Sequence, residues 1–250
     1  MAAKRRFYLI DALRGLSLLN MAGYHFLYDV NVVFGREPAW YRRADVFLWQ
    51  QGICWAFILI AGFSFRWGRR HNLRRGLLLN ACGLLITAVT LVFMPSEAIW
   101  FGILNFMGCA VLLTLALEKP LERLPAVWGL ALSFVLFLIF RSVSVGVLGV
   151  GPWTLRLPET LFRFRALAPL GFPDAGFASS DYFPLLPWYF LFLCGWHLER
   201  LFRRNETLQR MAETRVPLLS PLGRRTLPVY LLHQPVLMGL CTLLFRRPGA

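Results

Sequence analysis

The sequence predicts an all-α fold, a polytopic transmembrane helical bundle of about seven spans. Three observations carry that expectation. The 250-residue chain is 57% hydrophobic and 16% charged, with a mean hydropathy of +0.55, which is too apolar for a soluble domain of this length. Its apolar runs recur at Phe7–Phe34, Val46–Phe65, Gly76–Met94, Ile99–Leu117, Leu124–Phe140, Phe183–Leu201 and Thr226–Phe245, each near the ~20 residues that cross ~30 Å of hydrocarbon. Its cationic residues are also distributed unevenly between alternate loops.

With the amino terminus cytoplasmic, the inner loops hold Lys4, Arg5 and Arg6; Arg66, Arg69, Arg70, Arg74 and Arg75; Lys119 and Arg123; and Arg200, Arg203, Arg204, Arg210, Arg215, Arg224 and Arg225. These are most of the 27 Lys and Arg, the pattern of the positive-inside rule. An odd number of spans then leaves the carboxyl terminus outside. The net charge of +14 reads as topology and lipid attraction, and no nucleic-acid partner is expected because no groove-reading motif accompanies it. The expected location is a cell membrane, as a multi-pass protein. Residues 1–250 read as one integral-membrane domain.

The first run opens after Lys-Arg-Arg like a secretory leader, but it is too long and is interrupted by charge, so it is expected to stay as the first helix. Four ionisable groups lie inside it: Asp11, Arg14, His25 and Asp29. At about 100° per residue they fall within roughly 60° of arc on one helix face. A charge near the bilayer centre costs at least ~2.5–3.5 kcal/mol, so four on one face point to a polar cavity inside a bundle. Asp11 and Arg14 are three residues apart, the spacing of a salt bridge or of an anchor for an anionic ligand. His25 and Asp29 are four apart. A carboxylate beside an imidazole fixes its tautomer and supports the imidazolium, which suits His25 to general-base work. The alternative is a buried polar pair that holds helices together.

The second and third runs are joined by an arginine-rich inner turn, in which Arg66 and Arg70 offer phosphate-binding capacity. Asn105, in the fourth run, lines a polar path or bridges helices. Glycines within the runs, Gly62, Gly83, Gly108 and Gly195, permit close helix approach. The outer segment 142–182 is too long for a plain connection. It reads as a lid or acceptor-binding cap in which Pro158-Glu159 opens a short helix to about Leu167; the alternative is a passive surface loop. Asp181 and Tyr182 follow it at the mouth of the sixth run, whose Pro184 and Pro187 loosen the helix start. In the seventh run Pro235 cannot donate to the Leu231 carbonyl, so the helix is expected to bend or open near His233. His233 is then a second catalytic or ligand-orienting group, or a structural histidine. Cys54, Cys82, Cys109, Cys194 and Cys241 show no metal-like spacing, so neither a metal site nor a disulfide framework is expected.

Asp11-Ala12-Leu13-Arg14-Gly15 followed by His25 resembles the first-helix signature of multi-span acyltransferases of the acyltransferase-3 type. The closer resemblance is to bacterial proteins related to the catalytic domain of heparan-α-glucosaminide N-acetyltransferase. It rests on His25 to Asp29, Phe101 to Gly108, Asp181 to Trp188 and Gly223 to Pro235, in order along nearly the whole chain. The resemblance implies transfer of an acyl group, acetyl from acetyl-CoA, to an amine or hydroxyl of an extracytoplasmic sugar-like acceptor, with a bacterial inner-membrane location. Acetyl-CoA is then a co-substrate and no cofactor is permanently bound.

By position, His25 is the catalytic histidine, oriented by Asp29. Asp11, Arg14, Arg66, Arg70 and His233 serve acyl-CoA, while Asn105, Asp181 and Tyr182 serve the acceptor. The bilayer is a partner, and a homo-oligomer is compatible with the pattern. Relatives often carry histidine where this chain has Asn105, which implies a different acceptor or lower activity. Two rival readings use the same residues: a proton-coupled transporter or flippase and a non-catalytic membrane scaffold.

Overall fold

The computed structural model describes residues 5–245, so Lys4 of the expected inner cluster lies outside the described residues. The chain is mostly helical. Each of the seven apolar runs forms a long helix: α1 (Tyr8–Tyr28), α2 (Ala44–Phe63), α3 (Asn72–Phe93), α4 (Ile103–Arg123), α5 (Ala126–Ile139), α6 (Leu185–Phe202) and, after two short helices, α9 (Thr226–Leu244). The short ones are α7 (Glu206–Ala212) and α8 (Leu219–Arg224). Among the described residues, five segments are long and apolar enough to cross a membrane: Ala44–Phe63, Arg66–Phe93, Ile103–Arg123, Ala126–Val145 and Thr226–Leu244. The ionisable groups that make α1 informative also lower its hydropathy, and α6 is short and charged at its end.

Two compact units emerge. One contains the residues up to Ile60 and those from Phe202 onward, and the other runs from Ala61 to Leu201. In the first, α1 and α8 meet backbone to backbone. A methyl group on Gly15 would lie 2.2 Å from the Leu219 carbonyl oxygen, and one on Gly223 would lie 1.8 Å from that of Asp11. Only glycine permits that approach, which explains the glycine that closes the Asp-x-x-Arg-Gly element. Leu18, Met21 and Ile53 form the apolar core above it, with Tyr24, Trp49, Phe57, Leu222, Val229 and Tyr230 around them. Beyond Tyr28 the helix widens into a π-turn, Asp29–Val33, in which the Phe34 N–H donates to the Asp29 carbonyl at 2.8 Å.

In the second unit α3 and α4 pack through reciprocal glycine–asparagine contacts. The Asn105 amide sits where a Gly83 methyl would be, and the Asn80 amide where a Gly108 methyl would be. Gly62 lies equally close to the Phe192 carbonyl of α6, so three of the four expected small-residue contacts are realised. Phe106, Phe137, Phe192 and Trp196 fill the core.

Ion pairs close the end of this unit that carries the arginine-rich turn. Arg66 pairs with Glu122 and approaches Glu199, and Arg69 pairs with Glu118 at 3.0 Å. Arg200 donates to the Leu124, Glu122 and Leu121 carbonyls at 2.8, 3.1 and 3.4 Å. It thereby caps the open carbonyls at the end of α4.

The segment after α5 departs from the expected single short helix. It contains a two-stranded antiparallel hairpin, β1 (Val147–Val150) and β2 (Trp153–Arg156), joined through Gly151-Pro152. The stretch expected to be helical from Pro158 instead makes two 3-10 turns, Glu159–Phe162 and Arg165–Leu170. Phe164 between them is extended, and Pro169 lacks the N–H that a longer helix needs. The all-α expectation therefore gains a small β-element, in a stretch whose alternation was too short to stand out from a loop.

Candidate functional site

In the first unit α1 and α9 bring His25 and His233 together. Their ring centroids are 4.9 Å apart and the planes are inclined at 59°. The His25 ring is half-buried and has no hydrogen bond to any described residue. Tyr24 packs its edge beside it at 5.7 Å, and Tyr230 lies 5.3 Å from His233. His233 Nδ1 is held against the Tyr230 carbonyl oxygen of its own helix. A carbonyl only accepts, so Nδ1 must carry the hydrogen, and the neutral ring then keeps its lone pair on Nε2. That Nε2 is buried and makes no hydrogen bond among the described residues. The result is two adjacent imidazoles, one with its tautomer fixed and the other without a hydrogen-bonded partner.

The expected His25–Asp29 hydrogen bond does not form. The buried Asp29 carboxylate accepts instead from Gln234 Nε2, at 2.9 and 3.1 Å to its two oxygens. Gln234 follows His233 on α9 and reaches the start of the π-turn, so the carboxylate binds the neighbouring helix and not the imidazole one turn before it. Sequence spacing along α1 registers only partners on the same helix. α9 runs unbroken as a helix through Pro235, so no opening occurs at His233.

Asp11 and Arg14 form the salt bridge that their spacing allows, Nη1 to Oδ1 at 3.1 Å, and Arg6 adds a second cation to the other oxygen at 3.0 Å. These groups stabilise the end of α1 that crosses α8. In the second unit Arg66 is ion-paired as described, whereas Arg70 is exposed. Asn105 is buried and donates weakly to the Asn80 carbonyl at 3.4 Å, in keeping with the helix-bridging alternative.

Asp181 Oδ2 accepts from the Ile103 N–H at 3.0 Å, capping α4 from the long loop. Burial pushes its carboxyl group up to about 6, against the opposing pull of that N–H. Ser179 exchanges bonds with Trp100, donating to its carbonyl at 3.1 Å and accepting from its N–H at 2.9 Å, and the Phe183 N–H donates to the Phe101 carbonyl at 3.1 Å. The Tyr182 hydroxyl donates to the Ala168 carbonyl at 2.5 Å, and burial raises that phenol to about 12. Asp181 therefore fastens the end of segment 142–182 to the start of α4, and Tyr182 ties two parts of that segment together. His197 is fully buried against Gly129, with Arg200 Nη1 3.3 Å from its Nδ1.

Several membrane-capable helices point to a multi-pass membrane protein, in which α1 and α9 bring two imidazoles side by side. Residues 6–235 match the family described as heparan-alpha-glucosaminide N-acetyltransferase, catalytic, and the chain belongs to that family. It is thus a member of a membrane acetyltransferase family. No curated protein and no solved structure matches the chain.

Proposed function

We propose that the protein transfers an acetyl group from acetyl-CoA on the cytoplasmic side to an amine or hydroxyl of a sugar-like acceptor on the other side of a bacterial inner membrane. All seven long helices cross in this reading, with the amino terminus cytoplasmic and the carboxyl terminus outside. The observation that supports it best is the His25–His233 pair, in a chain whose family is named for acetyl transfer.

His25 takes the proton from the acceptor nitrogen or oxygen as that atom attacks the thioester carbonyl. A carbon–nitrogen or carbon–oxygen bond forms, the carbon–sulfur bond breaks, and the imidazolium returns its proton to the departing thiolate. Two rings this close cannot both carry charge cheaply, so a proton taken by His25 favours a neutral His233, with Nδ1 committed to the Tyr230 carbonyl and the lone pair on Nε2. Asp29 positions α1 against α9 through Gln234. Of the residues expected to meet acyl-CoA, Arg70 has an exposed guanidinium for a phosphate, whereas Asp11, Arg14 and Arg66 are engaged in ion pairs. Asp181 and Tyr182 serve the acceptor indirectly, by fixing the cap.

Proteoliposomes test the reading. Acetyl-labelled CoA is supplied on one face and glucosamine is enclosed on the other. Labelled N-acetylglucosamine inside, dependent on His25, is the expected product. Counterflow of free acceptor without any CoA would instead establish the transporter reading.

A further inference from the structure

The hairpin after α5 is amphipathic in a way its register makes explicit. In an antiparallel pair, residues directly opposite share a face, and alternate residues along each strand do too. Leu148 pairs with Leu155 and Val150 with Trp153, so Leu148, Val150, Trp153 and Leu155 make one wholly apolar face. The opposite face carries the pairs Val147–Arg156 and Gly149–Thr154. Leu148 at the root of this face is half-buried, and the rest is open among the described residues: Val150 is 52% exposed, Leu155 66% and Trp153 85%. An uncovered apolar strand surface with a tryptophan at its tip is unfavourable in water and marks a surface that meets something else.

What it meets follows from where it starts. The membrane-capable segment Ala126–Val145 ends two positions before β1 begins, and Val145, its last residue, is itself 77% exposed. Along α5 Val127, Trp128, Leu132, Phe134 and Val135 are exposed, an apolar surface that the short turn 140–146, which carries Arg141, Ser142 and Ser144, joins to the hairpin. Four-residue strands rising ~3.3 Å per residue cannot carry the tip far from the bilayer boundary. Indole rings are enriched at that boundary, where an apolar body meets a polar rim, and an arginine there reaches lipid phosphate. Arg156, on the other face, is placed for the second role.

We propose that the β1–β2 hairpin is a membrane-surface anchor. Its Leu148–Val150–Trp153–Leu155 face lies in the headgroup–acyl boundary of the leaflet in which α5 ends, and it holds the root of segment 142–182 to the bilayer. This does not depend on the acetyltransferase reading.

The test uses the full chain, one copy per phosphatidylcholine nanodisc, with and without bromine atoms on the upper acyl-chain carbons. The emission lost on Trp153→Phe isolates Trp153 from the other tryptophans. That difference emission is expected to fall at least about twofold in brominated discs, as for an indole at the interface. In the Trp153→Phe background, Leu155→Trp restores a quenchable signal and Thr154→Trp, on the opposite face, does not. All three positions are exposed, so the substitutions leave the fold intact, which circular dichroism checks. Equal Trp153 emission in both kinds of disc overturns the proposal, as does equal quenching at 154 and 155. Shielding of Trp153 only when two copies share a disc also overturns it, and assigns the face to self-association.

Discussion

Replacing Gly223 by alanine places a methyl carbon 1.8 Å from the Asp11 carbonyl oxygen and 2.8 Å from both the carbonyl carbon of Asp11 and the Gly15 nitrogen. All three are backbone atoms, so no side chain can turn aside. Reaching ordinary contact near 3.5 Å requires α1 and α8 to separate by about 1.5 Å. Overpacking of this kind costs ~1–3 kcal/mol, and a rigid backbone on both sides puts Gly223→Ala at the upper end, about 3 kcal/mol. For a chain of this size that lowers the melting temperature by roughly 6–12 °C, measurable on purified protein in detergent. The same separation moves α1, and with it His25, relative to the helix that follows α8. A misplacement of about 1 Å at reacting groups lowers turnover on the order of a hundredfold. If Gly223→Ala melted within about 1 °C of the parent and turned over normally, the backbone contact and its role in setting the histidine pair would both be refuted.

Three other substitutions separate structural from chemical roles. Asp29→Asn keeps an oxygen for Gln234 Nε2 and is expected to leave the pH profile of kcat/KM unchanged, because Asp29 does not bond His25; a displaced limb would restore the His25–Asp29 pairing. Gln234→Leu removes the donor to a buried carboxylate and is expected to cost ~1–3 kcal/mol in thermal or denaturant unfolding. Asp181 gives the fold a pH dependence of definite sign. Its carboxyl is raised to about 6, so between about pH 4, its value in an unfolded chain, and 6 the folded state holds a proton that the unfolded state has lost. Stability from this group is therefore present below pH 4 and declines as pH rises to 6. Asp181→Asn, which keeps an acceptor for Ile103 but cannot titrate, is expected to flatten that decline in a series of melting curves.

The long helices were legible because hydropathy over twenty residues is a strong, local signal, and all seven runs fold as helices, although five segments among the described residues are long and apolar enough to cross a membrane. The four ionisable groups of the first apolar run were legible as unusual, and the Asp11–Arg14 pair formed at its i,i+3 spacing. Their remaining partners were not. Gln234 and His233 lie more than two hundred residues from Asp29 and His25 in sequence, and periodicity within one helix cannot rank a neighbour on another. Asp181 was singled out by its place at the start of α6, yet it caps α4, because capping across a tertiary contact leaves no trace in spacing. The hairpin was hidden in a Gly- and Pro-rich stretch whose strands are four residues each. Arg200 looked like one more topology-setting cation, and its use as a cap for the end of α4 depends on the packing of α6 beside it.

The proposed chemistry requires His25 and His233 to act together on one proton. Acetyl transfer from labelled acetyl-CoA by His25→Ala, His233→Ala and the double variant, each verified as folded in detergent, measures this directly. Each single change is expected to lower kcat/KM on the order of 10²–10⁴-fold, as for loss of a general base, and the double change scarcely further, as for residues that work as a unit. Wild-type turnover in His25→Ala, or losses that multiply in the double variant, would contradict it.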